Sequence, residues 1–498
     1  MARILMVASE ATPFAKTGGL ADVIGALPAA LHAAGQQVAV VMPWYRSVRL
    51  ASSPKEAFRD LRVYIGPRDY RVDIFETSEG GVTFYLVCCP PLFDRPALYG
   101  EHSTDYPDNH IRFGVFCRAA LDVARHLFLP DILHCHDWQA ALAPIYLRYA
   151  FRGDPTFLGI RVLFTVHNLG YQGLFPPEAL YDLGIGRDAF RPNVLEFFGR
   201  VNLLMGGMHF SDAINTVSRG YAREIQTPEF GFGLDGFLRA RANRLSGIVN
   251  GVDYKAWSPE TDVNIARNYS VDDLQGKQVC KRALLEQFHL PTTNLSRPVI
   301  GMVSRMVTQK GFDLLEKAAK DLLAEDITLT VLGSGDLVYE KLFRDLAAAH
   351  PGKVGVQIGY DEALAHRVEA GADMFLMPSY YEPCGLNQIY SLRYGTVPIV
   401  RAVGGLEDTI VDDGAAAGGA ATGFKFRDYT ETALLAAVRR ALSVYANQSR
   451  WREIVRRGMR QDFSWEYSAG QYAALYRSLL TRPAAALPVN SRPAAAVV

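Results

Sequence analysis

The feature that most constrains this chain is a series of short, wholly apolar segments, each followed by a helical pattern, that runs through once and then starts again. "ARILMVAS" precedes "LADVIGALPAALHAAG", in which Leu20, Ile24, Leu27 and Leu31 fall on one helical face. "QQVAVVMPWY", "VTFYLVCC", "DILHCHD", "RVLFTVHN" and "SDAINTVS" continue the series. Runs that are apolar throughout belong to strands buried on both faces, and helices between them imply parallel crossovers. After "NGVDYKAWSPETD" the series begins anew with "RPVIGMVSR", "ITLTVLGSG", "KVGVQIGY", "DMFLMPSY" and "TVPIVR".

The sequence therefore predicts two doubly wound α/β domains in tandem, with a junction near residues 245–265. Such sheets take ligands outside the carboxyl ends of their strands, so two of them facing each other predict an interdomain cleft. The expected boundaries are 1–250 and 251–460, then a helical segment over 461–480 that packs back on the first domain. An Ala/Pro-rich tail, 481–498, has too little to bury and is expected to be disordered. A length of 498 residues suits roughly two to three domains.

Composition narrows the function by exclusion. Lys+Arg and Asp+Glu balance at 52 each, so no global basic field exists to recruit nucleic acid or anionic lipid, and any anion site must be local. Six cysteines with no C-x-x-C pair point to free thiols in a reducing compartment. No run of about 18 apolar residues suggests a membrane span, and the first strand is not a signal segment. The expected location is the cytoplasm.

Chemistry-bearing residues gather where strands give way to helices. In "PFAKTGGLADV", Lys16 precedes Gly18 and Gly19, which is the wrong order for a Walker loop and too few glycines for a dinucleotide fingerprint. Glycines there still admit a close ligand, and the following helix N-terminus offers N–H groups beside the Lys16 charge; a solvated lysine on a structural turn is the alternative. "SRMVTQKGFDLL" places Arg305 and Lys310 at the mouth of a helix, where two cations could neutralise a diphosphate. In "PSYYEPCGLNQIYSLRYG" the amides of Gly385, Leu386 and Asn387 are expected to open a helix and make a second anion site. Glu382 suits hydroxyl recognition or stabilisation of developing positive charge, or only a helix cap, and Cys384 could be a small buried hydrophobe. His134 and His136 in "DILHCHDWQ" raise a metal question, but no further ligand set is evident. His134 is expected in the core, with His136, Asp137 and Trp138 at the strand's end. His167, in "TVHNLGYQG", is a further polar candidate at a strand end.

Taken together, "SEATPFAKTGGLADV", "HCHDWQ", "TVHNLGYQG", "NGVD", "SRMVTQKG", "EPCGLNQIYSLRYG" and "PIVRAVGGLEDT" resemble the bacterial glycogen synthases and plant starch synthases, in that family's order and from about residue 3 to 480. The resemblance implies a retaining glucosyltransferase of the two-Rossmann-domain GT-B type. Its substrates would be ADP-glucose and the non-reducing 4-hydroxyl of an α-1,4-glucan, with no metal or other cofactor. It implies that Lys16 contacts the donor, with Gly18 and Gly19 beside the diphosphate, and that Arg305 and Lys310 stabilise the leaving nucleoside diphosphate. By the same resemblance Glu382 and Cys384 lie near the glucose, and His167 is near the transferred sugar. Asp22, Asp137 and Asn250 would line the cleft, and Tyr360 would stack on the base. Attack from the front face, with the leaving phosphate taking the acceptor's proton, is likewise implied by resemblance.

Tyr390 stands where many members of the broader fold carry a second glutamate; the synthases that this chain resembles also lack it, which narrows the family. Gln139 stands where a histidine often follows "HDW". The residues themselves leave ADP-glucose against UDP-glucose open. Two other classes compete with this one. A nicotinamide-dependent oxidoreductase lacks its G-x-G-x-x-G and the acidic residue ending the second strand. A non-catalytic glucan-binding protein would be favoured by loss of Lys16, Arg305, Lys310 or Glu382, and all four are present.

Overall fold

Among the described residues, the first sheet runs in the order Leu245–Gly247, Ala213–Thr216, Arg161–Val166, Ile132–His136, Arg3–Val7, Gln37–Pro43, Val82–Cys88, Arg68–Glu79, Lys55–Ile65. Its first seven strands are parallel. The chain starts at the central strand Arg3–Val7, adds Gln37–Pro43 beside it, crosses to the edge strand Lys55–Ile65 and works back inward to Val82–Cys88, then builds the other side from Ile132–His136 outward. That reversal creates a topological switch point between Arg3–Val7 and Ile132–His136, where open α/β sheets hold their ligands. The computed structural model describes residues 1–101, 104–414 and 419–481.

The sheet is not wholly parallel, which corrects the sequence expectation. Lys55–Ile65 and Arg68–Glu79 form an antiparallel extension at one edge. These strands alternate, with Val63, Ile65, Val72 and Ile74 buried between exposed or half-exposed neighbours. Alternation marks a strand with one face toward solvent, and a search for continuous apolar runs passes over it.

The second sheet repeats the pattern over Val354–Ile358, Thr328–Gly333, Val299–Val303, Met374–Met377, Val397–Arg401 and Phe424–Phe426, in that order and all parallel. Its switch point lies between Val299–Val303 and Met374–Met377. The helix Phe312–Leu322 covers this sheet with Phe312, Leu314, Leu315, Ala318 and Leu322 buried.

The chain divides into two units, each built on one of these sheets. The first holds Met1–Val217, Ile225–Gly251 and the segment from Trp465; the second holds Ser218–Glu224 and Val252–Ser464. In the first, the helix Trp465–Thr481 is tied down from Ser468 Oγ to the Val249 carbonyl, from Asn215 Nδ2 to Tyr472 Oη, and between Tyr476 Oη and His134 Nδ1. A division near residue 250 does not anticipate that 218–224 packs with the second unit. The reason is polar: Ser218 Oγ donates to the Pro383 carbonyl at 2.6 Å, and the Gly404 N–H donates to Glu224 Oε1 at 2.7 Å. Of the tail expected to be disordered over 481–498, Thr481 is instead the last residue of the helix Trp465–Thr481, and 482–498 lie outside the described residues. No described helix is long and apolar enough to cross a membrane.

Candidate active site

At the first switch point the chain leaves Arg3–Val7 and reaches the helix Gly19–Ala33 through the Lys16–Gly18–Gly19 turn. Glu10, 4% exposed, holds that turn by accepting from the Thr17 backbone N–H and from Thr17 Oγ1, and it also accepts from Tyr99 Oη. Lys16 Nζ lies 2.7 Å from Asp22 Oδ1, with the two side chains 48% and 32% exposed. An ion pair this wet contributes at most about 1 kcal/mol, so the ammonium can be given over to an anion at little cost. Gly18 is extended and no side chain caps the helix. A Cβ at Gly18 or Gly19 would meet no protein atom within 4 Å. Protein packing therefore does not call for glycine at either position, whereas a ligand at van der Waals distance would.

Beside it, Ile132–His136 ends at Asp137, a non-glycine residue at φ 57°. Asp137 Oδ1 accepts the His167 backbone N–H at 2.7 Å, and His136 Nδ1 lies 3.0 Å from His167 Nε2. Burial pushes His167 down to about 3 and His136 well below the usual imidazole value, so both rings are neutral at pH 7. A neutral ring can donate from one nitrogen and accept at the other, which suits sugar hydroxyls. His134 is a core residue, within hydrogen-bonding distance of Tyr476 Oη and Thr165 Oγ1. Asn250 is buried, and its Oδ1 has no protein partner. No three His, Cys, Asp or Glu residues among those described gather as a metal site requires.

The Asp137 carboxyl is pushed up to about 7, chiefly by burial and further by the charge of Glu10, against the N–H groups of His167 and Asn168. In the unfolded chain it releases its proton near pH ~3.9. Its contribution to folding is therefore fully present below that value and is lost as pH rises through about 7. Asp137→Asn keeps the acceptor for the His167 N–H and removes the titration. We expect the melting temperature of Asp137→Asn, relative to the natural protein, to rise from pH 5 to pH 8. An unchanged difference would mean that the carboxyl is not shifted.

At the second switch point two loops are tied together. The Tyr380 N–H donates to the Gln309 carbonyl at 2.9 Å, and a Cβ on Gly311 (φ 82°) would lie 2.1 Å from the Pro378 carbonyl oxygen. This close approach sets Lys310 Nζ 2.6 Å from Glu382 Oε2, with the side chains 20% and 6% exposed. Ser379 Oγ donates to the same carboxylate oxygen at 3.0 Å. Glu382 is thus turned toward a cation and does not cap a helix. Arg305 lies exposed in the same loop as Lys310. The helix begins at Asn387 and not at Gly385: Gly385 sits at φ 70° and Leu386 turns the chain into Asn387–Arg393. Asn387 Nδ2 donates to the Val303 carbonyl at 2.6 Å, fixing that helix to the end of its neighbouring strand. Cys384 is buried.

Other sequence candidates are more dispersed. Tyr360 is 81% exposed just beyond Val354–Ile358, its hydroxyl 3.4 Å from Glu362 Oε2. Tyr390, where many members of the broader fold carry a glutamate, stacks on Trp257 with centroids 3.8 Å apart and planes at 7°. Sequence reasoning overlooked the groups that hold the loops. Glu10 has no local signature, and Gly404 and Gly405 matter through contact: the Gly405 N–H donates to the Glu382 carbonyl at 3.0 Å.

The chain has relatives among known proteins over nearly its whole length. Residues 3–240 match the starch synthase catalytic domain, and residues 286–458 match glycosyl transferases group 1. The chain is 50% identical over 477 residues to a glycogen synthase of Koribacter versatilis, covering 95% of this chain and 97% of the relative. It is 50% identical over 481 residues to a glycogen synthase of Anaeromyxobacter dehalogenans, covering 96% and 99%. The solved catalytic domain of starch synthase IV from Arabidopsis thaliana, bound to ADP and acarbose, superposes with a TM-score of 0.86 at 33% identity, covering 97% of this chain and 100% of that one. A sucrose-phosphate synthase from Thermosynechococcus elongatus shares the fold, with a TM-score of 0.57 at 19% identity over 96% and 98% of the two chains.

Proposed function

Since this chain belongs to the glycogen synthase family, we propose that it moves glucose from ADP-glucose to the non-reducing 4-hydroxyl of an α-1,4-glucan, with retention, and releases ADP. The observation that carries this reading is the Lys310–Glu382 pair at the second switch point, 2.6 Å apart. Breaking the bond between the anomeric carbon and the phosphate oxygen leaves positive character on the sugar and negative charge on the diphosphate. Lys310 and Arg305 meet the charge of the departing diphosphate, with the amides of Gly385, Leu386 and Asn387 beside them. At ~4 Å each such charge pair contributes about 4 kcal/mol at an effective dielectric near 20. The Glu382 carboxylate faces the developing positive charge or the glucose hydroxyls, and Cys384 lines the same loop.

The first unit supplies its own share in this reading. Lys16, Gly18 and Gly19 serve the donor's diphosphate, with Asp22 as the resting partner of Lys16. His167, Asp137 and Asn250 address sugar hydroxyls, and Tyr360 of the second unit stacks on adenine. The acceptor hydroxyl attacks from the face that ADP leaves, its oxygen bonds to the anomeric carbon, and its proton passes to the departing phosphate. The relative bound to ADP and acarbose supports both substrate classes. No metal or cofactor enters this reading, and the proposed setting is the cytoplasm.

One assay tests bond and charge chemistry together. With EDTA present, ADP should appear from ADP-glucose only when glycogen is added. The newly attached label should then be released as maltose by β-amylase, which cuts α-1,4 links from non-reducing ends. Loss of transfer on chelation, or label resistant to β-amylase, would overturn the respective part.

A further inference from the structure

Three large aromatic side chains on the first unit stand out in water: Phe198 is 83% exposed, Tyr171 59% and Phe232 39%. Their loops are joined. Phe197 and Phe198 meet edge to face at 4.7 Å, and a Cβ on Gly233 would lie 2.9 Å from Phe197 Cζ and 3.4 Å from Phe198 Cε2. The Phe232 carbonyl accepts from Gln172 Nε2 at 3.1 Å, and Gln172 Oε1 accepts from Asn202 Nδ2 at 2.6 Å. Gln172 neighbours Tyr171 and closes the loop that starts at His167.

Phe198 and Phe232 both adopt φ 48°, in the left-handed region that bulky side chains avoid. Such conformations cost on the order of 1–3 kcal/mol and persist where the surroundings impose them, often at functional sites. Burial of the Phe198 ring does not offset that cost. Two nearby charges are tied to backbone at the surface: Glu196 Oε1 accepts the Gly199 N–H at 2.8 Å, and Arg200 Nη2 donates to the Leu174 carbonyl at 2.7 Å. Exposed aromatic rings thus stand among polar groups of both signs, Arg200 and Glu229 being exposed as well, which suits a ligand that carries apolar faces together with hydroxyls. A glucan chain has this character, since each glucose presents a C–H face between its hydroxyls.

We propose that Phe198, Phe232 and Tyr171 form a platform that holds the α-glucan acceptor beyond the glucose unit that reacts. This rests on the transfer to a glucan proposed above. The platform continues the His167 loop through Gln172, so it grips the same chain whose end is to be extended.

The test is electrophoresis of the full-length protein through gels with increasing glycogen, which reads binding without turnover. Phe198→Ala should weaken glycogen retardation about tenfold, equivalent to ~1.4 kcal/mol, and raise the KM for glycogen in step. Phe198→Trp, which keeps a ring, should stay within about twofold of the natural protein. Equal retardation of all three, or none for the natural protein, would overturn the proposal. So would a Phe198→Ala protein whose sedimentation changes while its glycogen retardation does not, since the surface would then join copies of the chain. Ring-dependent retardation in a protein that transfers no glucose would leave the platform standing and reject the reaction.

Discussion

Glu382→Ala is expected to lower glucose transfer by roughly 10²–10³, the range measured when one preorganised electrostatic group is removed from an active site. The carboxylate is 6% exposed and is held by Lys310 at 2.6 Å and Ser379 at 3.0 Å, so its position is set before any ligand arrives. Removing it acts on the transition state, where positive character develops, more than on the resting sugar. The fold should suffer less. A buried pair that loses one member can cost ~3–5 kcal/mol, but the Lys310 side chain is already 20% exposed and can turn to water. Glu382→Gln, which keeps the shape and loses the charge, should lose nearly as much rate as alanine. Initial rates of ADP release at saturating glycogen, with melting curves alongside, check this. A Glu382→Ala rate within threefold of the natural protein would remove the carboxylate from the chemistry.

Gly405→Ala should damage both stability and rate, although Gly405 carries no functional group. A Cβ there would lie 2.0 Å from the Cys384 carbonyl oxygen and 2.6 Å from its carbonyl carbon, all rigid backbone. Relief requires the Glu382–Cys384 segment to move away, which also strains the Gly405 N–H bond to the Glu382 carbonyl. Overpacking of this kind costs about 3 kcal/mol, and a displacement near 1 Å at a reacting centre can cost ~10² in rate. Gly18→Ala makes the contrast, since a Cβ there meets nothing within 4 Å. It should leave the melting temperature nearly unchanged and act on donor binding. If Gly405→Ala melts and turns over like the natural protein, the Gly404–Gly405 contact does not hold the Glu382 loop.

These two glycines show where sequence reasoning stops. Most strand identities were legible because a long buried parallel strand carries its own apolar run, whereas the three-residue parallel edge strands Leu245–Gly247 and Phe424–Phe426 are too short to carry one and were passed over. Lys16, Arg305, Lys310 and Glu382 were legible because charge stands beside a strand-to-helix transition. Strand order was not, since no local pattern records that Arg3–Val7 lies between Gln37–Pro43 and Ile132–His136. The switch points that gather the candidate residues follow from that order alone. The polar-faced strands Lys55–Ile65 and Arg68–Glu79 were passed over because only half of each is apolar. Supporting groups were hidden for the same reason of distance in the chain: Ser218 reaches Pro383, and Glu224 reaches Gly404. Tyr390 was visible as a departure from the broader fold, but its stacking on Trp257 was not.

The most direct test of the central claim incubates the purified protein with glycogen and radiolabelled ADP-glucose or UDP-glucose in parallel, and counts label in the precipitated polymer. The account predicts incorporation from ADP-glucose, weaker or absent incorporation from UDP-glucose, and collapse of the signal in Glu382→Ala. No incorporation from either donor would contradict it.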